Sequence, residues 1–169
     1  MTIDPFEIGA TRVLSPAECA VVATRAAAQV DLDALDRSGP GEAVQLWRTD
    51  GSEAWLNTWW QPRDSGFHDH GGSCGGVFVI AGEVTGEYLQ VSGGRRVSRF
   101  GAGDSFSFEA DRIHRVDHLE GAVTVHVYSP PLTTIGHYEL VEGELRREAG
   151  APDEVSPPSQ ELTRAIAEA

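Results

Sequence analysis

An all-β barrel or sandwich carrying one N-terminal helix is the fold class that this chain predicts. Three observations predict it. From Ala43 onward the sequence runs as short β-rich segments between turn residues, no helical pattern separates them, and the one strong helix signal precedes them. The 169 residues, 40% of them hydrophobic, are enough to bury one core and too few for two ordinary domains. Residues 1–42 are therefore expected as a helical segment packed on the barrel, 43–148 as the barrel, and 149–169 as a tail.

The helix is read from "SPAECAVVATRAAAQV". Ser15 is the N-cap, Pro16 takes the first helical position and Glu18 completes a capping box, so the helix should run from Pro16 into the late twenties. "DRSGPGE" then breaks the chain with Gly and Pro. The strands that follow are "AVQLWRT", "AWLNTWW", "GVFVIAG", "TGEYLQV", "RRVSRF", "DSFSFE", "IHRVDHL", "AVTVHVYS" and "TIGHYELV". Ala149 to Pro158 reads as extended chain, and "SQELTRAIAEA" as a short last helix capped by Ser159.

Charge excludes some partners. With 13 Lys and Arg against 26 Asp and Glu, the formal net charge is −13, which repels phosphate backbones and anionic lipid headgroups. No apolar run approaches the roughly 20 residues of a membrane helix, and "MTIDPFEIGATRV" lacks the basic-then-apolar order of a secretory leader. A cytoplasmic protein with neither a nucleic-acid nor a membrane partner is expected. Two cysteines, Cys19 and Cys74, suggest neither a disulfide framework nor a thiolate metal site.

The chemistry concentrates in "GFHDHGGSCGGVFVIAGEV". Alternate residues of a strand share a face, so His68 and His70 point into one barrel mouth while Asp69 points away. A third histidine from another strand would complete a site, and His114 follows the "GAGD" turn and a further strand. A phosphate cradle is the rival reading of "GGSCGG", but no helix with a basic residue follows it. This order of His-x-His, glycine turn and lone histidine resembles the cupins, small double-stranded β-helices that carry a metal in the barrel mouth. The glutamate that follows His-x-His in the general cupin pattern is missing here. Three neutral imidazoles would leave a divalent metal its full charge and open positions for an anionic donor.

Taken together, "HDHGGSCG", "HRV" and "AVTVHVYSPP" resemble cysteine dioxygenase and related thiol dioxygenases over roughly residues 43–131. The resemblance implies a mononuclear non-haem iron(II) held by His68, His70 and His114, with a small thiol and dioxygen as substrates and a monomeric protein. It also implies a hydroxyl, imidazole and phenol relay, here Thr124, His126 and Tyr128, with threonine in place of serine. Their spacing of two puts all three on one strand face from the residues alone. Without the family pattern, His126 competes with His114 as third ligand. The family's cis peptide before proline falls at Ser129–Pro130, and its cysteine for a tyrosine cross-link falls at Gly75, so no cross-link is expected. Cys74 is one residue out of phase and faces the other way.

For a substrate carboxylate the resemblance points to Arg48, whose fork suits bidentate binding, with Gln45 and Arg63 as competitors. Trp60 is either a pocket wall or a core aromatic, His118 an exposed turn residue, and His137 a strand residue outside any motif. The function expected is oxidation of L-cysteine to cysteine sulfinic acid. The alternatives are a dioxygenase for 3-mercaptopropionate or another small thiol, and a non-catalytic cupin that binds a metal or small ligand.

Overall fold

Ser15 starts the architecture as its sequence requires. In the computed structural model, which describes residues 3–89 and 94–148, its Oγ accepts from the Glu18 backbone N–H and the Glu18 side chain accepts from the Ser15 N–H. Helix α1, Pro16–Ala27, follows and buries Cys19, Val22, Ala23 and Ala26. The expected tail and its helix, 149–169, lie outside the described residues, as does the end of "TGEYLQV".

Twelve strands follow among the described residues. One sheet has five strands in the order β1 (Ala43–Arg48), β2 (Glu53–Trp59), β10 (Ala122–Ser129), β5 (Cys74–Ala81) and β8 (Ser105–Phe108). A four-stranded sheet joins β3 (Arg63–Asp64), β9 (Arg115–His118), β6 (Glu83–Leu89) and β7 (Arg95–Gly101). A three-stranded sheet joins β12 (Glu144–Arg147), β11 (His137–Val141) and β4 (Phe67–His68). The nine expected strand runs all contain a strand. The two-residue strands β3 and β4 and the final β12 carry too few residues, or too many charged ones, to show a period of two in the sequence.

The five-stranded sheet is buried on both faces. Outward, Ala54 and Leu56 of β2, Val123, Val125 and Val127 of β10, and Cys74 of β5 form one core with α1. Inward, Val79, Val84, Val116 and Ala122 form a second core with Trp59, Phe100 and Phe106 packed against it. The helix lies so close to β5 that a Cβ on Gly76 would come within 2.2 Å of the Ala20 nitrogen. No helix among the described residues is long and apolar enough to cross a membrane.

That close approach makes Gly76 a test of the packing. Gly76→Ala should lower unfolding free energy by about 1–3 kcal/mol, the usual cost of overpacking. Urea unfolding followed by circular dichroism checks it, and an unchanged midpoint would mean that α1 can move off the sheet freely.

Candidate metal centre and its pocket

Backbone pairing brings the first two elements of the site together. The His68 N–H donates to the His114 carbonyl at 2.8 Å and the His114 N–H to the His68 carbonyl at 3.0 Å, a single antiparallel bridge between β4 and the lead-in to β9. On its other side His68 pairs with His137 of β11. His70 lies just past β4, where the following turn is closed by the Ser73 N–H on the His70 carbonyl at 3.0 Å. Asp69 points elsewhere, as alternation requires, and its carboxylate accepts from the Tyr138 hydroxyl at 2.6 Å and the Gly71 N–H at 2.8 Å.

The three imidazoles converge. Ring centroids of His68 and His70 are 4.9 Å apart, of His68 and His114 4.9 Å, and of His70 and His114 5.0 Å. One nitrogen from each lies within 4.8 Å of the others. His68 Nδ1 is 3.0 Å from the Gly66 carbonyl, so Nδ1 carries the proton and Nε2 keeps its lone pair. Burial first, and then mutual repulsion, holds His70 and His114 well below the usual imidazole range, and burial lowers His68 as well. Neutral imidazoles are what a divalent cation needs, and His70 Nδ1 is buried without a hydrogen-bond partner. The donor set therefore fits a first-row transition metal.

Strand β10 supplies the second cluster. Thr124 Oγ1 lies 3.0 Å from His126 Nε2, and His126 Nδ1 lies 3.1 Å from the Tyr128 hydroxyl. Burial lowers His126 to about 3 and pushes the Tyr128 phenol up, so both are neutral at pH 7. Tyr128 leans over His70, centroids 5.3 Å apart. The three histidines, together with His126 and Tyr128, line a cavity of about 180 Å³ whose walls also include Asn57, Trp59, Phe108, Val116 and His118, with Thr124 behind His126. At about 30 Å³ per water, that is room for a small metabolite.

A family model described as cysteine dioxygenase type I matches residues 46–140, which is more than half of the chain. The chain belongs to that family. Its sheets form the cupin double-stranded β-helix. Among solved structures, KdgF from Halomonas sp. is similar at 18% identity and TM-score 0.47, covering 57% of this chain and 85% of that one. An RmlC-like cupin protein from Desulfovibrio desulfuricans is similar at 15% identity and TM-score 0.49, covering 62% and 97%. A Klebsiella pneumoniae protein with a double-stranded β-helix domain is similar at 15% identity and TM-score 0.47, covering 80% and 96%. No curated protein matches.

Not every expected site residue joins the pocket. Arg48 sits on the inward face of β1, yet its guanidinium pairs with Glu53, and its Nη2 donates to the Leu132 carbonyl at 3.1 Å. It does not line the cavity. Arg63 lies over the Trp59 ring at 5.6 Å, and Gln45 is opposite Trp55 with its Nε2 buried and unpaired. Trp60 packs on the outer core and donates to the Asp36 carbonyl at 2.7 Å, whereas Trp59, in phase with Trp55 and Asn57, walls the pocket. The bond before Pro130 is cis. Gly75 faces Tyr128 across β5 and β10, with Phe108 where a side chain would go, while Cys74 turns away and donates to the Leu14 carbonyl at 3.4 Å.

The clearest departure is His118. Expected in an exposed turn, it ends β9 at 4% exposure, stacks on Trp59 with centroids 4.1 Å apart, and lies 6.1 Å from the His126 ring. The signal was present in "HRVDH": His114, Val116 and His118 alternate and share one face. Desolvation lowers His118 to about 3.

Because His118 and His126 are held neutral in the fold while an unfolded imidazole titrates near about 6.5, the unfolded chain binds more protons between pH 6.5 and 3. Stability should be fully present above that window and be lost as pH falls through it, by at most about 1.4 kcal/mol per pH unit per histidine. Urea unfolding of the metal-free chain at pH 7.5, 6 and 5 measures this. A flat profile would show that these rings are not buried neutral.

Proposed function

We propose that the protein is a thiol dioxygenase that holds one non-haem iron(II) on His68, His70 and His114 and oxidises L-cysteine to cysteine sulfinic acid. The observation that carries it is the convergence of three neutral imidazoles with His126 and Tyr128 in one small cavity, His126 being held from behind by Thr124. The reaction adds both atoms of dioxygen to sulfur, R–SH + O2 giving R–SO2H, and needs no external reductant. When bound, the iron supplies open positions at which thiolate and dioxygen meet.

The chain's own residues then do three things. Phe108, Val77 and Val116 keep the cavity apolar and small, which excludes water and fixes substrate pose. Thr124 orients His126, and with Thr124 donating to Nε2, His126 Nδ1–H donates to the Tyr128 oxygen. The phenol proton is then free to donate into the cavity, toward the substrate or the oxygen being transferred. Burial keeps that proton on Tyr128 at pH 7.

The second reading is dioxygenation of 3-mercaptopropionate. Arg48, the residue expected to grip the carboxylate of cysteine, is already paired with Glu53, and both thiols carry a carboxylate, so that pair does not separate them. Dioxygen uptake by the iron(II)-loaded protein with cysteine, 3-mercaptopropionate and cysteamine separates the readings, with the sulfinate confirmed by mass. No uptake with any of them at full iron content would leave a non-catalytic cupin.

The site assignment has its own test. His114→Ala should lose bound iron as well as activity, whereas Tyr128→Phe should keep iron and lose about 100-fold or more in rate, the usual scale of a positioned proton donor. Metal analysis of each variant decides. Should His126→Ala empty the site and His114→Ala leave it filled, ligand and relay would exchange roles.

A further inference from the structure

The wall of the cavity holds polar groups that the proposed chemistry leaves unused. Both ring nitrogens of His118 and the indole Nε1 of Trp59 are buried without a hydrogen-bond partner. The Arg63 carbonyl is near enough to raise the His118 pKa weakly, yet it lies outside hydrogen-bonding geometry. Buried donors and acceptors are nearly always satisfied, and leaving one unmade costs about 1–3 kcal/mol. Two such residues, stacked on each other and lining one cavity, are a place where a ligand supplies the missing partner.

Their position fits the far end of a substrate. His114, Val116 and His118 occupy alternate positions along β9, and all three line the cavity. At about 3.3 Å per residue the backbone carries His118 roughly 13 Å along from His114, and across the cavity the His118 ring lies 6.1 Å from that of His126, which holds the Tyr128 hydroxyl beside His70. Sulfur at the histidine cluster and a polar tail at His118 are thus opposite ends of one small molecule.

Charge selects the tail. No cation lines the cavity among the described residues, because Arg48 is held by Glu53. A divalent metal on three neutral imidazoles brings two positive charges, and the Arg63 guanidinium stands behind the Trp59 ring. A thiolate with a second anionic group balances the metal, and Trp59 Nε1–H with a His118 N–H offers that group two donors.

We propose that a carboxylate at the end of the substrate remote from sulfur is bound by His118 and Trp59, with Asn57 beside them, and not by Arg48. The inference rests on the thiol dioxygenase reading and names within it the residues that set specificity. His118 and Trp59 bind substrate and take no part in the oxidation itself.

Anaerobic calorimetry of the iron(II)-loaded protein tests it, since no turnover occurs without dioxygen. The probes are 3-mercaptopropionate, 3-mercaptopropionamide, which has the same shape without the charge, and 1-propanethiol, which lacks the polar group. The wild type should prefer the carboxylate over each of the other two by about tenfold or more. That preference should fall about tenfold in His118→Leu, and also in Trp59→Phe, which keeps the ring stack and removes only the N–H. The paired change Arg48→Gln with Glu53→Gln removes the cation without stranding a buried charge and should keep the preference.

A preference that survives both His118→Leu and Trp59→Phe overturns the inference, as does one lost only in the Arg48 and Glu53 pair. Equal or tighter binding of the amide overturns the anionic tail. In each of these cases thiols still bind and the dioxygenase reading stands. Failure of every thiol to bind the wild type would remove that reading, and the inference with it.

Discussion

The alternation of strand β10 is the constraint on which the rest of the structure depends. Val123, Val125 and Val127 face outward and join the core beneath α1, while Thr124, His126 and Tyr128 face inward toward the histidine cluster. Both neighbours pair along its length, β2 from Ala122 to Tyr128 and β5 from Val123 to Ser129. A slip of one residue would put three valines in the pocket and three polar side chains under the helix. Burial of the valines thus fixes the register, and the register fixes the relay.

The same row logic explains what the sequence made legible. Residues at spacing two could be assigned to faces directly, so the relay on β10 and the phase of Cys74 against Gly75 follow from counting. His68 and His70 needed more than counting, because β4 is only two residues long and His70 is placed by the turn after it. What counting could not supply was partners across the sheet. One row runs from Arg48 through Glu53, Tyr128 and Gly75 to Phe108. Arg48 takes an inward position in that row, and Glu53 opposite it is not legible in the sequence until the hairpin closes. His118 differs for another reason: the turn residues after it suggest exposure, while it alternates with Val116 and His114 on the inward face.

Glu53 shows why Arg48 is not free. It is fully buried, and its carboxylate is held by Arg48, by the Trp55 indole at 3.2 Å and by the Leu132 N–H at 3.3 Å. Stripping a buried carboxylate of its cation typically costs about 3–5 kcal/mol, so pulling the guanidinium away to meet a substrate would be strongly opposed. The pair ties β1 and β2 to the loop at Leu132, next to the relay tyrosine in the row. In that place it holds β1, β2 and the Leu132 loop together as part of the wall of the site.

On the proposed reading the site must also keep the protein's own thiols out of reach. The sheet does this by phase. Gly75 occupies the inward position opposite Tyr128, where the Phe108 ring fills the space a side chain would need, and Cys74 turns to the helix side of β5. There it meets Cys19 of α1, and burial raises both thiols above their usual range, so neither is a thiolate at neutral pH. Since the thiolate is both the nucleophile and the metal ligand, two features withhold these sulfurs from the chemistry: the five-stranded sheet lies between them and the histidines, and their protons stay on. Gly75 thus places no sulfur opposite Tyr128, whose hydroxyl is held by His126 alone among the described side chains.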